Sequence, residues 1–104
     1  MTQWIRVAAK YEIPPGCVRE LVAGDHIVAV ANIDGHWLAI DGVCPHQGGP
    51  LGKGQLTGSI VTCPWHGWQF DLRTGQHCLN RNLHHPKFDV RVDDENIYVA
   101  VDPL

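Results

Sequence analysis

Cys44-Pro45-His46 and Cys63-Pro64-Trp65-His66 together spell C-x-H-x16-C-x-x-H, two short segments that each offer one thiolate and one imidazole to a metal. Each Cys is followed by a Pro, which fixes φ and removes a backbone donor. Glycines follow each His closely, Gly48-Gly49 after His46 and Gly67 after His66. The backbone can therefore turn tightly and approach an inorganic centre with no Cβ in the way. The pattern predicts two rigid loops that face one another and share ligation by Cys44, His46, Cys63 and His66.

Zinc sites usually draw two Cys from one half-site and two His from the other, or Cys alone in C-x2-C pairs. Mixed halves instead suit a binuclear centre, because in a Rieske 2Fe-2S cluster one iron takes two Cys and the other takes two His. On that ground CPH over 44–46 and CPWH over 63–66 resemble the Rieske ferredoxin family. The resemblance extends to Gln47-Gly48-Gly49-Pro50-Leu51, similar to the family's QGxPL segment. It extends also to His66-Gly67-Trp68-Gln69-Phe70-Asp71 with Thr74-Gly75, similar to its HGxxFDxxTG run. The match is close from Asp41 to Gly75 and loose in the flanks. From a different class, a zinc-binding structural or interaction module would use the same four residues.

The resemblance implies one Rieske-type 2Fe-2S cluster per chain, with each His bound through Nδ1 and its Nε2 left at the surface. It implies an all-β fold, a small antiparallel β-sandwich or partial barrel of the Rieske (ISP-like) type with a cluster-binding loop subdomain. The ring edges of His46 and His66 would then be the electron exit, with Trp65, Pro50-Leu51 and Trp68 as a dry contact rim. Each iron in such a cluster holds two bridging sulfides and two side chains, which leaves no open position for a substrate or an activated water. The expected role is that of a one-electron carrier rather than an enzyme, with no catalytic residue. Family members of this length resemble ferredoxin components that pass electrons from a flavoprotein reductase to a terminal oxygenase. The alternative within electron transfer is a small Rieske subunit of a nitrite reductase or other oxidoreductase.

Composition agrees with a small carrier. At 104 residues and 44% hydrophobic content, the chain is near the size at which one core suffices without disulfide staples. A formal charge of -3 argues against nucleic acid, which wants a basic patch. No run reaches the length of a membrane span, and the first ten residues lack a signal-peptide core. A reducing cytoplasm is the expected home, since ligand thiols must stay unpaired there.

Positioning these loops falls to strands. Apolar, β-branched runs recur at Trp4 to Val7, Val18 to Val22, Ile27 to Ile33 and Trp37 to Ile40, and again at Ser59 to Thr62, Trp68 to Asp71, Phe88 to Val92 and Ile97 to Val101. Asp34-Gly35, Asp41-Gly42, Thr57-Gly58, Thr74-Gly75 and Asp93-Asp94-Glu95-Asn96 mark turns between them. Phe88-Asp89-Val90-Arg91-Val92 alternates as one half-buried strand should. A short helical turn is expected near Ala8 to Tyr11. The organisation expected is one domain over 1–104, with a cluster-binding subdomain over about 41–83 and a base made from 1–40 and 84–104.

Cys17 and Cys78 pair with no ligand motif and read as small buried hydrophobes. His26 and His36 read as surface or satisfied histidines. His77, His84 and His85 follow the second loop and read as solvated surface ahead of any role at the metal rim. The chain departs from the family in Gln76 to Leu83, which lacks the Gly-Pro pair that usually covers the cluster.

High-potential Rieske proteins carry a disulfide at positions matching Gly49 and Trp65, and Ser and Tyr hydroxyls where this chain has Trp68 and Phe70. Those hydroxyls donate to a cluster sulfide and a ligand sulfur, which favours the reduced, more negative state. Two imidazoles in place of two thiolates raise the potential by about 250 mV over plant-type ferredoxins, or about 6 kcal/mol for one electron. Without the hydroxyls, a midpoint near the low end of the Rieske range, about -150 mV, is expected. Film voltammetry checks this: a natural midpoint above about +100 mV contradicts it, and Phe70→Tyr should raise the value.

Overall fold

The run His26–Ile33 carries the sequence HIVAVANI, apolar at nearly every position, and is buried from Val28 through Asn32. A strand apolar on both faces needs a layer on each side, and the rest of the chain supplies them. A computed structural model describes residues 2–45 and 47–102, so Met1, His46, Pro103 and Leu104 lie outside the described residues.

Among the described residues the strands are β1 (Gln3–Ala9), β2 (Cys17–Ala23), β3 (His26–Ile33), β4 (His36–Asp41), β5 (Gln55–Thr57), β6 (Ile60–Thr62), β7 (Gln69–Asp71), β8 (Lys87–Phe88), β9 (Val90–Val92) and β10 (Asn96–Val101). They form three open antiparallel sheets, ordered β1-β10-β9, β2-β3-β4-β8 and β5-β6-β7. The fold is all-β as expected, and none of these sheets closes into a barrel. The only helical pieces described are 3-10 turns at Lys10–Glu12 and Leu51–Lys53.

The β2-β3-β4-β8 sheet is the middle layer. Because side chains alternate along a strand, Val28 and Val30 of β3 and Ala39 of β4 enter one core with Ala8, Ile13, Ile97, Val99 and Val101. Ala29 and Ala31 with Ile40 face the opposite way, into a core shared with Cys44, Leu51, Val61, Cys63, Phe70 and Leu72. Small residues on that second face let the metal-ligand loops settle close to the sheet. The β3–β4 hairpin turns at Asp34-Gly35, both at positive φ (51° and 86°), as a two-residue turn requires. Asn32, buried nearby, donates from Nδ2 to the Ile13 carbonyl at 3.0 Å and accepts from the Gly35 N–H at 2.9 Å.

Two sequence expectations need correction. Phe88 to Val92 is not one strand: β8 pairs with β4 in the middle sheet, while β9 pairs with β10 in the outer one. The chain changes sheets at Asp89, whose carbonyl accepts from the Ala100 N–H at 3.0 Å. Strand β5 was absent from the sequence reading because Gln55-Leu56-Thr57 has one apolar residue between glycine-rich flanks.

The ligand-loop sheet is held against the middle layer by backbone contact at Gly52. A Cβ there would stand 2.5 Å from Glu20 Cα and 2.6 Å from Glu20 N, so strand β2 or the 3-10 turn would have to move. Gly52→Ala is expected to cost about 1–3 kcal/mol, the usual range for overpacking. A denaturant titration showing no loss would mean that the two layers tolerate separation.

Candidate metal centre

Cys44 and Cys63 begin loops with the same backbone plan. The Cys44 N–H donates to the Gly49 carbonyl at 2.8 Å, and the Cys63 N–H donates to the Trp68 carbonyl at 2.8 Å. Each ring spans six residues, 44–49 and 63–68. Within each, the third and fourth residues after the Cys are left-handed: Gln47 and Gly48 (φ 65° and 74°), then His66 and Gly67 (φ 68° and 73°). Glycine takes this conformation freely, whereas Gln47 and His66 hold it at an order of 1–3 kcal/mol each. Strain of that kind in both loops marks a site whose geometry matters more than its local stability. Although these bonds and angles correspond, the histidines in the sequence do not, since His46 is the second residue after its Cys and His66 the third.

The loops turn their thiols inward. Cys44 and Cys63 are each 1% exposed, within the core that includes Phe70 and Leu72. Gln47, Pro64, Trp65, His66 and Gly67 are exposed. The loops meet at Gly49, where a Cβ would lie 2.5 Å from Cys63 Sγ and 3.0 Å from Trp65 Cβ. A side chain there would collide with the sulfur. Across the loops His66 Nε2 lies 2.9 Å from Gln47 Oε1. An amide oxygen accepts, so Nε2 carries the proton and the lone pair falls on Nδ1, the nitrogen then suited to a metal.

His46 lies outside the described residues. Among the described residues no three His, Cys, Asp or Glu side chains converge as they would on one ion, and a binuclear cluster asks only two side chains of each iron. Buried thiols, an imidazole presenting Nδ1 and a loop crossing that admits only glycine fit such a cluster.

Residues 3–100 match the family model of the Rieske [2Fe-2S] domain. The chain belongs to the Rieske [2Fe-2S] domain family. A Rieske 2Fe-2S cluster is therefore its implied cofactor. The ferredoxin component of the alkene monooxygenase system of Xanthobacter autotrophicus is 29% identical over 103 residues, covering 98% of this chain and 84% of that protein. Human apoptosis-inducing factor 3 is 37% identical over 92 residues, yet the chain spans only 15% of its length. The ferredoxin of carbazole 1,9a-dioxygenase from Nocardioides aromaticivorans superposes with a TM-score of 0.87 at 30% identity, covering 96% of this chain and 99% of that one. The ferredoxin in a carbazole 1,9a-dioxygenase oxygenase–ferredoxin complex gives 0.85 at 28%, covering 97% and 95%. A putative nitrite reductase small subunit from Mycobacterium tuberculosis, covering 100% of this chain and 99% of that one, gives 0.87 at 23% and shows the fold alone.

Several roles assigned from sequence change in the Rieske structure. Leu51 is fully buried, so it belongs to the thiol core and not to a contact rim. Trp68 is half-buried and packs on the same core, leaving Trp65, 49% exposed, with Val43 at 42% as the large apolar side chains beside the loops. Cys78 is exposed and Cys17 half-buried, both as free thiols. His84 is exposed as expected, but His77 and His85 are buried, at 7% and 9% exposure. The segment after Gly75 folds back as a further edge of the ligand-loop sheet, through bridges Phe70–His77 and Gln76–His84, and so covers the Phe70 ring with imidazoles. His77 lies edge-on to Phe70 with centroids 5.1 Å apart, and His85 is tilted over it at 5.2 Å.

Each of these histidines has a defined tautomer. His77 Nδ1 accepts from the N–H groups of Leu79 at 3.0 Å and Asn80 at 3.1 Å, so its proton sits on Nε2. That Nε2 is buried with no hydrogen-bond partner among the described residues, at a cost of about 1–3 kcal/mol for an unmatched donor. The sequence singled out Gln47 for no role of its own, and for His77 it ranked solvated surface ahead of a place at the metal rim. Gln47 was visible only as part of a motif, and the one signal for His77 was that it follows the second loop.

His85 Nε2 lies 2.9 Å from the Asp41 carbonyl and donates to it, with the Asp41 carboxylate 3.9 Å away. Burial pushes the His85 imidazole below its usual 6.5, against smaller upward pulls from the Asp41 charge and the backbone of Asp41 and Val43. A base with a depressed folded pKa binds its proton more readily when unfolded. Its stability contribution is complete above the unfolded value of about 6.5 and is lost as pH falls below it. The urea midpoint of the native protein should therefore drop more steeply from about pH 7 to about pH 5 than that of His85→Gln. Parallel slopes would assign the acid sensitivity to other groups.

Proposed function

We propose that Cys44 and Cys63 hold one iron of a Rieske 2Fe-2S cluster and His46 and His66 the other, and that the chain is a one-electron carrier. The observation that carries this reading is polarity across the two loops: thiols 1% exposed on the core side, and an exposed His66 on the solvent side. When bound, the cluster supplies a site that accepts and returns one electron. The chain itself keeps water from the thiolate side through Leu51, Val61, Phe70 and Leu72, all fully buried. Gln47 holds the His66 proton on Nε2 and fixes the ring's orientation. Trp65 and Val43, partly exposed beside the loops, offer a partner an apolar surface close to the imidazole edge. Electron transfer favours such a contact, since it brings two centres together while excluding water.

The donor in this reading is a flavoprotein reductase and the acceptor a terminal oxygenase. Support comes from relatives that match the chain along its whole length and are named as ferredoxin components of oxygenase systems, and from the solved complex of such a ferredoxin with its oxygenase. The nitrite reductase reading rests on a likeness of fold alone. A zinc module loses to the cluster because the matched family is defined by a 2Fe-2S centre and each loop gives one Cys and one His. No helix among the described residues is long and apolar enough to cross a membrane, and the proposed compartment is the cytoplasm, where the ligand thiols stay reduced.

Metal affinity shared among four ligands is lost when one goes, and the loops depend on the metal for their shape. His66→Ala should lose the visible absorbance of the cluster and most of its iron and sulfide, with faster amide exchange over residues 41–83. Full iron and sulfide with an unchanged spectrum would overturn the ligand assignment. The carrier role is checked by reconstitution: with NADH and a reductase, the native protein should restore turnover to a terminal oxygenase that is inactive without it.

A further inference from the structure

We infer that His77 is a buried hydrogen-bond donor to a bridging sulfide of the metal centre, and thereby raises the readiness of the cluster to take an electron. The inference rests on the ligand reading above and adds a residue to it. Its basis is an orphan group in a particular row. Val61 of β6 stands opposite Phe70 of β7, and Phe70 stands opposite His77 across the next bridge. Directly opposed residues in antiparallel strands put their side chains on the same face. Val61, Phe70 and His77 therefore all point to the side where Phe70 packs with Cys44 and Cys63.

On that face His77 is fixed in place. Two backbone N–H groups hold Nδ1, which rules out the opposite tautomer and leaves Nε2–H as a donor. The rings of Trp68 and Phe70 lie edge-on to it, with centroids 4.7 and 5.1 Å away, and no protein acceptor reaches it among the described residues. A buried donor packed between aromatic rings, on the sheet face that carries the thiols, wants an acceptor that the described polypeptide does not give. Sulfur in the centre is such an acceptor, and it becomes a better one when an electron arrives, because the added charge spreads over the sulfurs. The donor thus stabilises the reduced form more than the oxidised form.

The test uses the holoprotein. His77→Leu keeps the volume and removes the donor; with iron and sulfide content equal to wild type, its affinity for the electron should fall about tenfold, which is about 59 mV lower for a one-electron couple. Electron–nuclear double resonance on the reduced wild-type protein, with 15N-histidine and exchange into D2O, should show an exchangeable proton on a histidine other than the two iron ligands, absent from His77→Leu. A His77→Leu midpoint within about twofold of wild type in equilibrium constant, about 18 mV, would overturn the inference and leave the N–H on the indole face of Trp68. Should His77→Leu fail to assemble, the wild-type resonance decides alone, and lack of a third histidine proton overturns it. Failure of the ligand reading looks different: wild-type protein without a 2Fe-2S spectrum.

Discussion

A loop that closes on itself within six residues has too little apolar surface to hold its own shape, so the layer behind it must do so. Here two such loops bury their thiols against Ala29, Ala31 and Ile40 of the middle sheet. Bulkier side chains at the two alanines would push Cys44 and Cys63 outward. The larger residues of the same strands, Val28 and Val30, face the other core, where no loop needs to approach. The alternation of Val and Ala along β3 therefore does two jobs with one strand. It fills a sandwich on one side and leaves room for a metal centre on the other.

The site was legible in the sequence to the extent that its chemistry is local. Cys44, His46, Cys63 and His66 announce themselves by type and spacing, and the turn glycines lie beside them. The order of strands followed from period-two patterning, except where patterning is blind. Phe88 to Val92 alternates without a break, yet Asp89 hands the chain from one sheet to another; partner choice is a long-range property that alternation cannot encode. Strand β5 is three residues long and borrows its regularity from β6. The burial of His77 and His85 was hidden for the same reason. A histidine's neighbours in sequence suggest solvent, whereas bridges from Phe70 to His77 and from Gln76 to His84 decide the matter from across the sheet.

The polar groups around the centre are arranged in two tiers. At the surface, Gln47 and His66 occupy equivalent places in two loops of the same shape and meet through a 2.9 Å hydrogen bond. Because the contact joins the two loops, it couples the orientation of the His66 ring, a ligand in the proposed reading, to the backbone that follows the other proposed ligand, His46. Below, the Phe70 ring packs in the core with the thiols and against His85, which is anchored to the Asp41 carbonyl at 2.9 Å. Asp41 ends strand β4 and leads into the first loop. The base of that loop is thus tied both to the middle sheet and to the segment that covers the second loop.

The missing hydroxyl at Phe70 and the donor at His77 act on the same quantity with opposite sign. A hydroxyl on Phe70 would add a donor to the core that holds Cys44 and Cys63, and its absence leaves the reduced state less favoured. His77 stands beside the same ring, edge-on at 5.1 Å, and returns one donor from a different strand. Two lost hydroxyls against one gained imidazole leave the balance negative. At about 59 mV for each tenfold change, one donor cannot lift a centre from the floor of the Rieske range, about -150 mV, to its upper end near +300 mV. A midpoint near that floor would suit reduction by a nicotinamide-linked flavoprotein, and a donor at His77 would adjust the height of that step without changing which class of donor can reach it.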